Sequence, residues 1–235
     1  MIYVTGDTHG LNDVQKLINN KTLDNLTTRD FLIVTGDFGA VWDNGAHDKA
    51  VLDFYSRQTY ITLFLDGNHE NFDLLNSYPV EEWHNGRIHR ITDKVFHLMR
   101  GQIYDLENLS IFTFGGGLSI DKEYRIPGYS WWPEEEPSDE ECLNALSNLK
   151  IRNNLIDIIL THSAPKVLVQ NHLAMRHNLI RITSKTESFL NSIMVTVRYR
   201  HWYCGHYHFD MDIPSENLSV LYERVVNITS SVEFD

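Results

Sequence analysis

Five short clusters of metal-binding residue types interrupt this chain, and each follows a hydrophobic run that predicts a β-strand. In order, the clusters are Gly6-Asp7-Thr8-His9-Gly10, Gly36-Asp37, Gly67-Asn68-His69-Glu70, Thr161-His162 and Gly205-His206-Tyr207-His208. Besides His69, they supply two Asp, one Asn and four His side chains. Side chains of these types at strand ends are suited to holding two metal ions side by side.

The candidate ligands are imidazole, carboxylate and amide groups, without a thiolate. This mixture fits Mn, Fe, Zn, Ni or Co better than calcium or a closed structural zinc site. Cys204 lies close to His206 in the sequence, but we expect it to face inward at the end of a buried strand. The sequence therefore predicts divalent metal binding, with Mn as the first candidate.

Strand and helix patterns alternate along the first third of the chain. Residues 2–5, 31–34 and 61–65 have the pattern of buried strands, and residues 11–19 and 46–55 show helical spacing. Strands separated by helices form right-handed βαβ units and a parallel sheet, which indicates the α/β class. Such a sheet presents its ligand site at the carboxyl ends of its strands, so loops distant in sequence can converge there.

The rest of the chain has a different pattern. Strand-like stretches between 88 and 114 are separated by turn residues, which favours antiparallel pairing. Ser138 and Glu141 predict a capping box for a helix that reaches about Asn153. A buried strand at 156–160 and a helix at 188–197 precede the last cluster. No linker or repeat separates these parts, so we expect one domain over residues 1–235.

The composition limits the classes of partner. The 235 residues are 42% hydrophobic and carry a formal charge of −12. This acidic balance argues against a broad nucleic-acid surface, which needs a basic stripe, although bound cations add positive charge locally. Two cysteines, the absence of a leader pattern and the lack of an apolar run of ~20 residues predict a cytoplasmic protein that does not bind a membrane.

The five clusters resemble those of the calcineurin-like metallophosphoesterase superfamily, whose pattern is D-x-H, G-D, G-N-H-[ED], H and G-H-x-H. All five blocks occur in the family order, from Asp7 to His208. The resemblance implies a metallo-dependent phosphatase-like fold, a four-layer α/β/β/α sandwich of mixed β-sheets. It also implies a dinuclear metal site at the carboxyl ends of the strands.

The same resemblance implies a role for each cluster residue. One metal ion would be held by Asp7, His9, Asp37 and His208, and the second by Asp37, Asn68, His162 and His206, with Asp37 bridging the two. Ions in such sites lie about 3.5–4 Å apart. A hydroxide between them would attack the phosphorus of a phosphomonoester or phosphodiester. His69 would contact the phosphate and help protonate the leaving alkoxide.

One loop departs from the family pattern. The protein Ser/Thr phosphatase branch continues its second block as G-D-x-V-D-R-G, whereas Ala40 and Val41 occupy the aspartate and arginine positions here. The closing His206-Tyr207-His208 is more similar to the phosphodiesterase and nuclease branches. The sequence therefore predicts the metal core and leaves the branch open, and it does not show what orients His69.

A segment at 116–137 is a candidate lid over the metals. It follows a triple-glycine turn and contains Arg125, which could hold a phosphate oxygen, and Trp131, which could stack on a base or pack on a peptide. The alternative is that the adjacent Trp131 and Trp132 belong to the core and Arg125 forms a surface ion pair.

The leading functional hypothesis is a hydrolase of phosphate esters, whose substrate is a small molecule, a nucleotide or a phosphopeptide. A protein Ser/Thr phosphatase and a nuclease are alternatives within that class. An interaction module that holds metal without using it in catalysis is the alternative from another class. The sequence does not indicate the oligomeric state.

Overall fold

The computed structural model of the chain describes residues 1–173 and 184–229, with two mixed β-sheets at their centre. The first sheet contains β1 (Ile2–Thr5), β2 (Phe31–Val34), β3 (Ile61–Phe64), β4 (Val80–Trp83), β5 (Gly86–Arg90), β6 (Val95–Leu98) and β13 (Val225–Asn227). The second contains β7 (Gln102–Leu106), β8 (Leu109–Phe114), β9 (Leu155–Thr161), β10 (Arg198–Cys204), β11 (Met211–Ile213) and β12 (Leu218–Val220).

The helices are α1 (Gln15–Ile18), α2 (Ala46–Ser56), α3 (Phe72–Leu75), α4 (Asp139–Ile151), α5 (Lys166–Leu168) and α6 (Lys185–Thr196). The predicted capping box at the start of α4 is present, since Ser138 and Glu141 bond each other's backbone amides. Within the described ranges, no helix is both long enough and apolar enough to cross a bilayer.

Helix α1 is shorter than the stretch 11–19 predicted from its spacing. The residues before it are held by the loop that follows β2, because the backbone amides of His9 and Gly10 bond the carbonyls of Asp37 and Phe38 at 2.9 Å. His9 and Gly10 also have left-handed φ angles of 43° and 69°, which a right-handed α-helix does not contain, and regular helix begins only after Val14. The shortened helix keeps the first cluster against the second.

Parallel strands form the middle of each sheet. In the first sheet β1, β2, β3 and β6 are parallel neighbours, and in the second β8, β9, β10 and β12 are. The pairs β5–β6 and β7–β8 are antiparallel, as the turn residues between 88 and 114 predict, and β4–β5 is a further antiparallel pair just before this stretch. The predicted combination of βαβ units and hairpins is confirmed.

The two sheets pack face to face with helices outside them. Alternate side chains of a strand point to opposite faces. Ile33 of β2 therefore joins a buried cluster that includes Leu160 of β9, between the sheets. Its neighbour Leu32 packs outward with residues of α1 and α2, whereas Ile159 packs outward with residues of α4 and α6. These layers confirm the α/β/β/α sandwich, and Cys204 is buried in it as expected.

A buried imidazole pair between β5 and β6 makes stability depend on pH. The Nδ1 atoms of His89 and His97 lie 3.0 Å apart, and burial together with His97 lowers the pKa of His89 to about 4. The pKa of His89 in the folded protein lies below its usual value of 6.5. The neutral ring therefore contributes its full stabilisation above pH 6.5, and this contribution is lost as the pH falls towards 4.

We expect His89→Gln to make the free energy of unfolding depend less steeply on pH between 6.5 and about 4. In the wild type, protonation of His89 should reduce the free energy of unfolding by about 2 kcal/mol between these pH values, after allowance for solvent screening. Urea unfolding across the pH range measures the slope. The exposed His84→Gln is the matched control and should keep the wild-type slope. Equal slopes in all three proteins contradict the prediction.

Candidate active site

The carboxyl ends of parallel strands from both sheets bring the five clusters to one place. The candidate site residues follow five different strands: Asp7 and His9 follow β1, Asp37 follows β2, Asn68 and His69 follow β3, His162 follows β9, and His206 and His208 follow β10. The two aspartates and His162 are almost completely buried, whereas His208 lies at the surface. The site is therefore a deep polar centre that opens on one side.

Four of these side chains form a compact group. Asp7, His9, Asp37 and His208 each offer one ligand atom, and these atoms all lie within 4.8 Å of one another. Nε2 of His208 is 3.2 Å from Oδ2 of Asp7, and Nε2 of His9 is 3.5 Å from Oδ2 of Asp37. These four residues are the first ligand set that the sequence resemblance implies.

A second group adjoins the first through Asp37. Nε2 of His162 is 3.1 Å from Oδ1 of Asn68, 3.1 Å from Nδ1 of His206 and 3.6 Å from Oδ1 of Asp37. The two oxygens of Asp37 thus face different histidines, since Oδ2 faces His9 and Oδ1 faces His162. A carboxylate in this position is able to bridge two ions.

Four of the seven candidate ligands have a left-handed backbone conformation. His9, Asp37, His206 and His208 have φ angles of 43°, 45°, 72° and 54°. L-residues other than glycine rarely adopt this conformation, and each such residue costs on the order of 1 kcal/mol or more. The surrounding fold must impose it. Strain concentrated on chemically suited side chains is typical of functional sites.

Two glycines leave room for the ligand groups. A Cβ on Gly36 would lie 2.1 Å from Nδ1 of His162, and one on Gly67 would lie 1.9 Å from Oδ1 of Asp37. Neither position tolerates a side chain without displacing a candidate ligand. Close approach of the backbone to a candidate ligand group therefore accounts for glycine at both positions.

Hydrogen bonds to the opposite ring nitrogen orient two of the histidines. Nδ1 of His9 lies 2.6 Å from Oδ2 of Asp13, and Nδ1 of His162 lies 2.8 Å from the carbonyl oxygen of Thr35. With a proton held on Nδ1, each ring presents the lone pair of Nε2 to the centre, as in known metal sites. Asp13 looks like an ordinary turn residue in the sequence. Its spacing of four residues from His9 is the one signal of this contact.

Lys16 is a second residue whose part in the site the sequence does not reveal. Its ammonium is largely buried and donates hydrogen bonds to the carbonyl oxygens of Gly6, Asp7 and Tyr222. The Tyr222 ring in turn stacks on His208, with ring centroids 5.1 Å apart. Lys16 therefore connects the backbone of one candidate ligand to the aromatic ring that supports another.

The electrostatics of the centre favour a bound cation. Asp7 and Asp37 are both buried, and the pKa of each is lowered because nearby histidines outweigh the cost of burial. Oδ2 of Asp7 accepts no hydrogen bond among the described residues. Burial and His162 lower the pKa of His206 to about 3, so this ring stays neutral and keeps its lone pair. In His9, by contrast, Asp37, Asp13 and Asp7 outweigh burial and raise the pKa to about 9. Two buried carboxylates beside imidazoles fit divalent metal ions.

His69 lies beside these groups and contacts Arg125. Its backbone amide donates to Oδ1 of Asp37 at 2.8 Å, and its Nδ1 is 3.0 Å from a terminal nitrogen of Arg125. Arg125 is paired with Asp121 through a bond of 2.8 Å from its Nε. Burial lowers the pKa of His69, and Arg125 adds to this while Asp37 opposes it. The His69 ring thus contacts the side chain of Arg125 and the ring of His9, whose centroid is 6.2 Å away, while position 40 holds a buried alanine.

A cleft of about 300 Å³ opens onto the centre. Asp37, Asn68, His69, His206 and His208 form one side, and residues of the predicted 116–137 segment, including Arg125, form another. Trp131 is outside the lining and lies under the ammonium of Lys122, 5.9 Å from the ring centroid. Trp132 belongs to the core and donates to Asp73. The structure therefore separates the two substrate-binding candidates, with Arg125 in the cleft and Trp131 beside it.

The fold and the site together define a class. An α/β/β/α sandwich with carboxylates and imidazoles at the strand ends of both sheets is the arrangement of a metallophosphoesterase. The profile of the calcineurin-like phosphoesterase family matches residues 1–210, and the chain belongs to that family. This membership confirms the resemblance seen in the five clusters and the assignment to the phosphoric ester hydrolases.

Two similar proteins provide further comparison. The chain is 22% identical over 231 residues to a lariat debranching enzyme of Schizosaccharomyces pombe, covering 87% of this chain and 47% of that relative. It therefore spans about half the length of the curated relative. A solved structure, a phosphopantetheinyl hydrolase from Mycobacterium tuberculosis, is 17% identical and has a TM-score of 0.46. That comparison covers 94% of this chain and 87% of the other.

Proposed function

We propose that this chain is a metal-dependent phosphoesterase that hydrolyses phosphomonoesters or phosphodiesters. The observation that carries the proposal is the pair of side-chain groups that share Asp37 at the base of a cleft lined by His69 and Arg125. Two divalent ions, with Mn as the first candidate, would bind there in a cytoplasmic enzyme.

The candidate ligands would divide between two ions. Asp7, His9, Asp37 and His208 would hold one, and Asp37, Asn68, His162 and His206 the other. Bound divalent ions supply Lewis acidity and lower the pKa of coordinated water. The chain itself supplies the fixed positions: the hydrogen bonds that His9 donates to Asp13 and His162 donates to the carbonyl oxygen of Thr35 keep the two rings oriented before a metal binds.

His69 and Arg125 would act on the substrate. The Arg125 guanidinium can donate two parallel hydrogen bonds to phosphate oxygens, a geometry that a planar fork matches well. His69 would donate a proton to the leaving oxygen, since an alkoxide is a poor leaving group without an acid. Trp131 remains a second candidate for substrate contact because it lies on the same segment as Arg125.

The size of the cleft supports a compact phosphate ester over a long polymer. A volume of about 300 Å³ is at the lower end of the range for small-molecule sites. A nuclease or debranching activity is the second candidate, supported by the relative of that name and opposed by the net charge of −12. A phosphopeptide fits if only its phosphorylated side chain enters the cleft.

A substrate panel in the presence of Mn tests the proposal. An aryl phosphate, a bis-aryl phosphate, a phosphopeptide, cyclic nucleotides and single-stranded DNA are compared at equal concentration, each with and without a chelator. We expect chelator-sensitive hydrolysis of at least one small ester. Cleavage confined to DNA supports the second candidate. No cleavage of any substrate supports a metal-holding interaction module and contradicts the proposal.

A further inference from the structure

Part of the cleft wall is apolar, formed by Leu118, Ile120, Val169 and Tyr207. Two carboxyl groups also line the cleft, that of Asp121, which is paired with Arg125, and that of Glu187. Ile120 is 58% exposed at the rim, so the apolar surface continues to the mouth of the cleft. An apolar wall of this kind fits the organic group of a substrate rather than its phosphate.

Glu187 is buried without the partner that its position in helix α6 predicts. It is three residues after the N-cap Ser184, where a glutamate commonly bonds back to the N-cap amide. The hydroxyl of Ser184 accepts from the Glu187 amide at 2.9 Å, but among the described residues the return bond is not formed. In α4, by contrast, Glu141 completes the box through a bond of 2.7 Å from the Ser138 amide.

The side chain of Glu187 faces the cleft instead. The residue lines the cleft and is only 8% exposed. Burial raises the pKa of Glu187 to about 7, which the nearby Ser184 amide only partly offsets. A carboxyl group that lines a cleft loses solvation when a ligand fills the cleft, so a ligand that supplies a hydrogen-bond donor there is favoured over one that does not.

We propose that the cleft selects phosphate esters whose organic group is short and apolar and ends in a hydrogen-bond donor, an amine or a hydroxyl, that Glu187 accepts. This inference rests on the proposed phosphoesterase function and adds the substrate class. The phosphate lies at the His69 and Arg125 end, the apolar stretch lies along Leu118 and Val169, and the donor reaches Glu187.

Matched esters test the selection. Nitrophenyl phosphodiesters carrying aminobutyl, hydroxybutyl or pentyl groups report nitrophenolate, and the corresponding alkyl monoesters report phosphate. The three groups have nearly equal length and differ in their last atoms. We expect kcat/KM for the amino or hydroxy ester to exceed that of the pentyl ester by about tenfold or more, because only the donor satisfies Glu187.

The Glu187→Leu variant should bring this ratio to about one, because it removes the acceptor. Glu187→Gln, which keeps an acceptor oxygen but no charge, should reduce the preference for the amine more than that for the hydroxyl. Glu140→Gln is the matched control, since it removes an exposed glutamate from α4, and it should keep the wild-type ratio. Thermal unfolding shows whether each variant is folded.

The possible results distinguish this inference from the proposed function. If no ester of either series is hydrolysed, the phosphoesterase function itself is contradicted. If the esters are hydrolysed and kcat/KM of the wild-type enzyme is equal for the three groups, or highest for the pentyl group, the selection by Glu187 is overturned. This outcome depends on the wild-type enzyme alone, so it holds even if a variant fails to fold. A preference that survives in Glu187→Leu also overturns it.

Discussion

Replacing Asp37 by alanine is expected to abolish hydrolysis of an aryl phosphate, lowering turnover by about 10⁴-fold or more. Asp37 is the one side chain that both candidate ligand groups contain, with its two oxygens 3.5 Å and 3.6 Å from His9 and His162. The same carboxylate accepts the backbone amide of His69. Its removal therefore takes a ligand from both metal positions and frees the loop that carries the proposed acid.

The measurement combines turnover with the metal content of the purified protein. We expect Asp37→Ala to retain far less metal than wild type after dialysis, while its circular dichroism stays that of a folded α/β protein. Asp53→Ala is the control, because it removes an exposed carboxylate from α2. Undiminished activity in Asp37→Ala is incompatible with the proposed site. Loss of activity with full metal content assigns Asp37 to catalysis alone.

The sequence predicts the fold where local pattern and topology agree. Residues 31–34 form a buried hydrophobic run, and the structure places a strand there because such a run must be covered on both faces. The capping box at Ser138 is equally local, since its two hydrogen bonds join residues three apart. These parts depend on spacing along the chain, and spacing is visible in the sequence.

The length of α1 depends on a contact between distant loops and is not predictable from spacing. Leu11 has a helical position in the sequence, yet it lies in the loop whose amides are held by the carbonyls of Asp37 and Phe38. A hydrogen bond across almost thirty residues overrides the local preference. The same loop–loop contact places His9 beside Asp37.

The supporting contacts of the site are the part that the sequence conceals. Arg125 reaches His69 across 56 positions, and Lys16 reaches the carbonyl of Tyr222 across 206. Neither residue has a spacing that predicts its partner, because the partners meet only after the two sheets have formed. The candidate ligands, in contrast, can be recognised in the sequence, because each follows a predicted strand and lies next to a turn.

Replacing His69 by alanine is expected to slow turnover by about 10²–10⁴ while the metal content stays at the wild-type level. The side chain contacts Arg125 in the cleft, and only its backbone amide contacts Asp37, so truncation at Cβ leaves the candidate ligands in place. The loss should be larger for an alkyl phosphate than for a nitrophenyl phosphate, because nitrophenolate leaves readily without a proton.

The comparison of leaving groups separates the two roles open to His69. If His69 donates the proton, the alkyl ester loses more than the nitrophenyl ester, whereas a residue that only binds phosphate with Arg125 slows both equally. Reduced metal content would instead make His69 a ligand. His84→Ala, which removes an exposed histidine, provides the baseline for both substrates. Because Arg125 contacts His69 and Ala40 cannot, Arg125→Ala should reproduce part of the His69 defect. An unaffected Arg125→Ala enzyme would show that the contact with Arg125 does not orient His69.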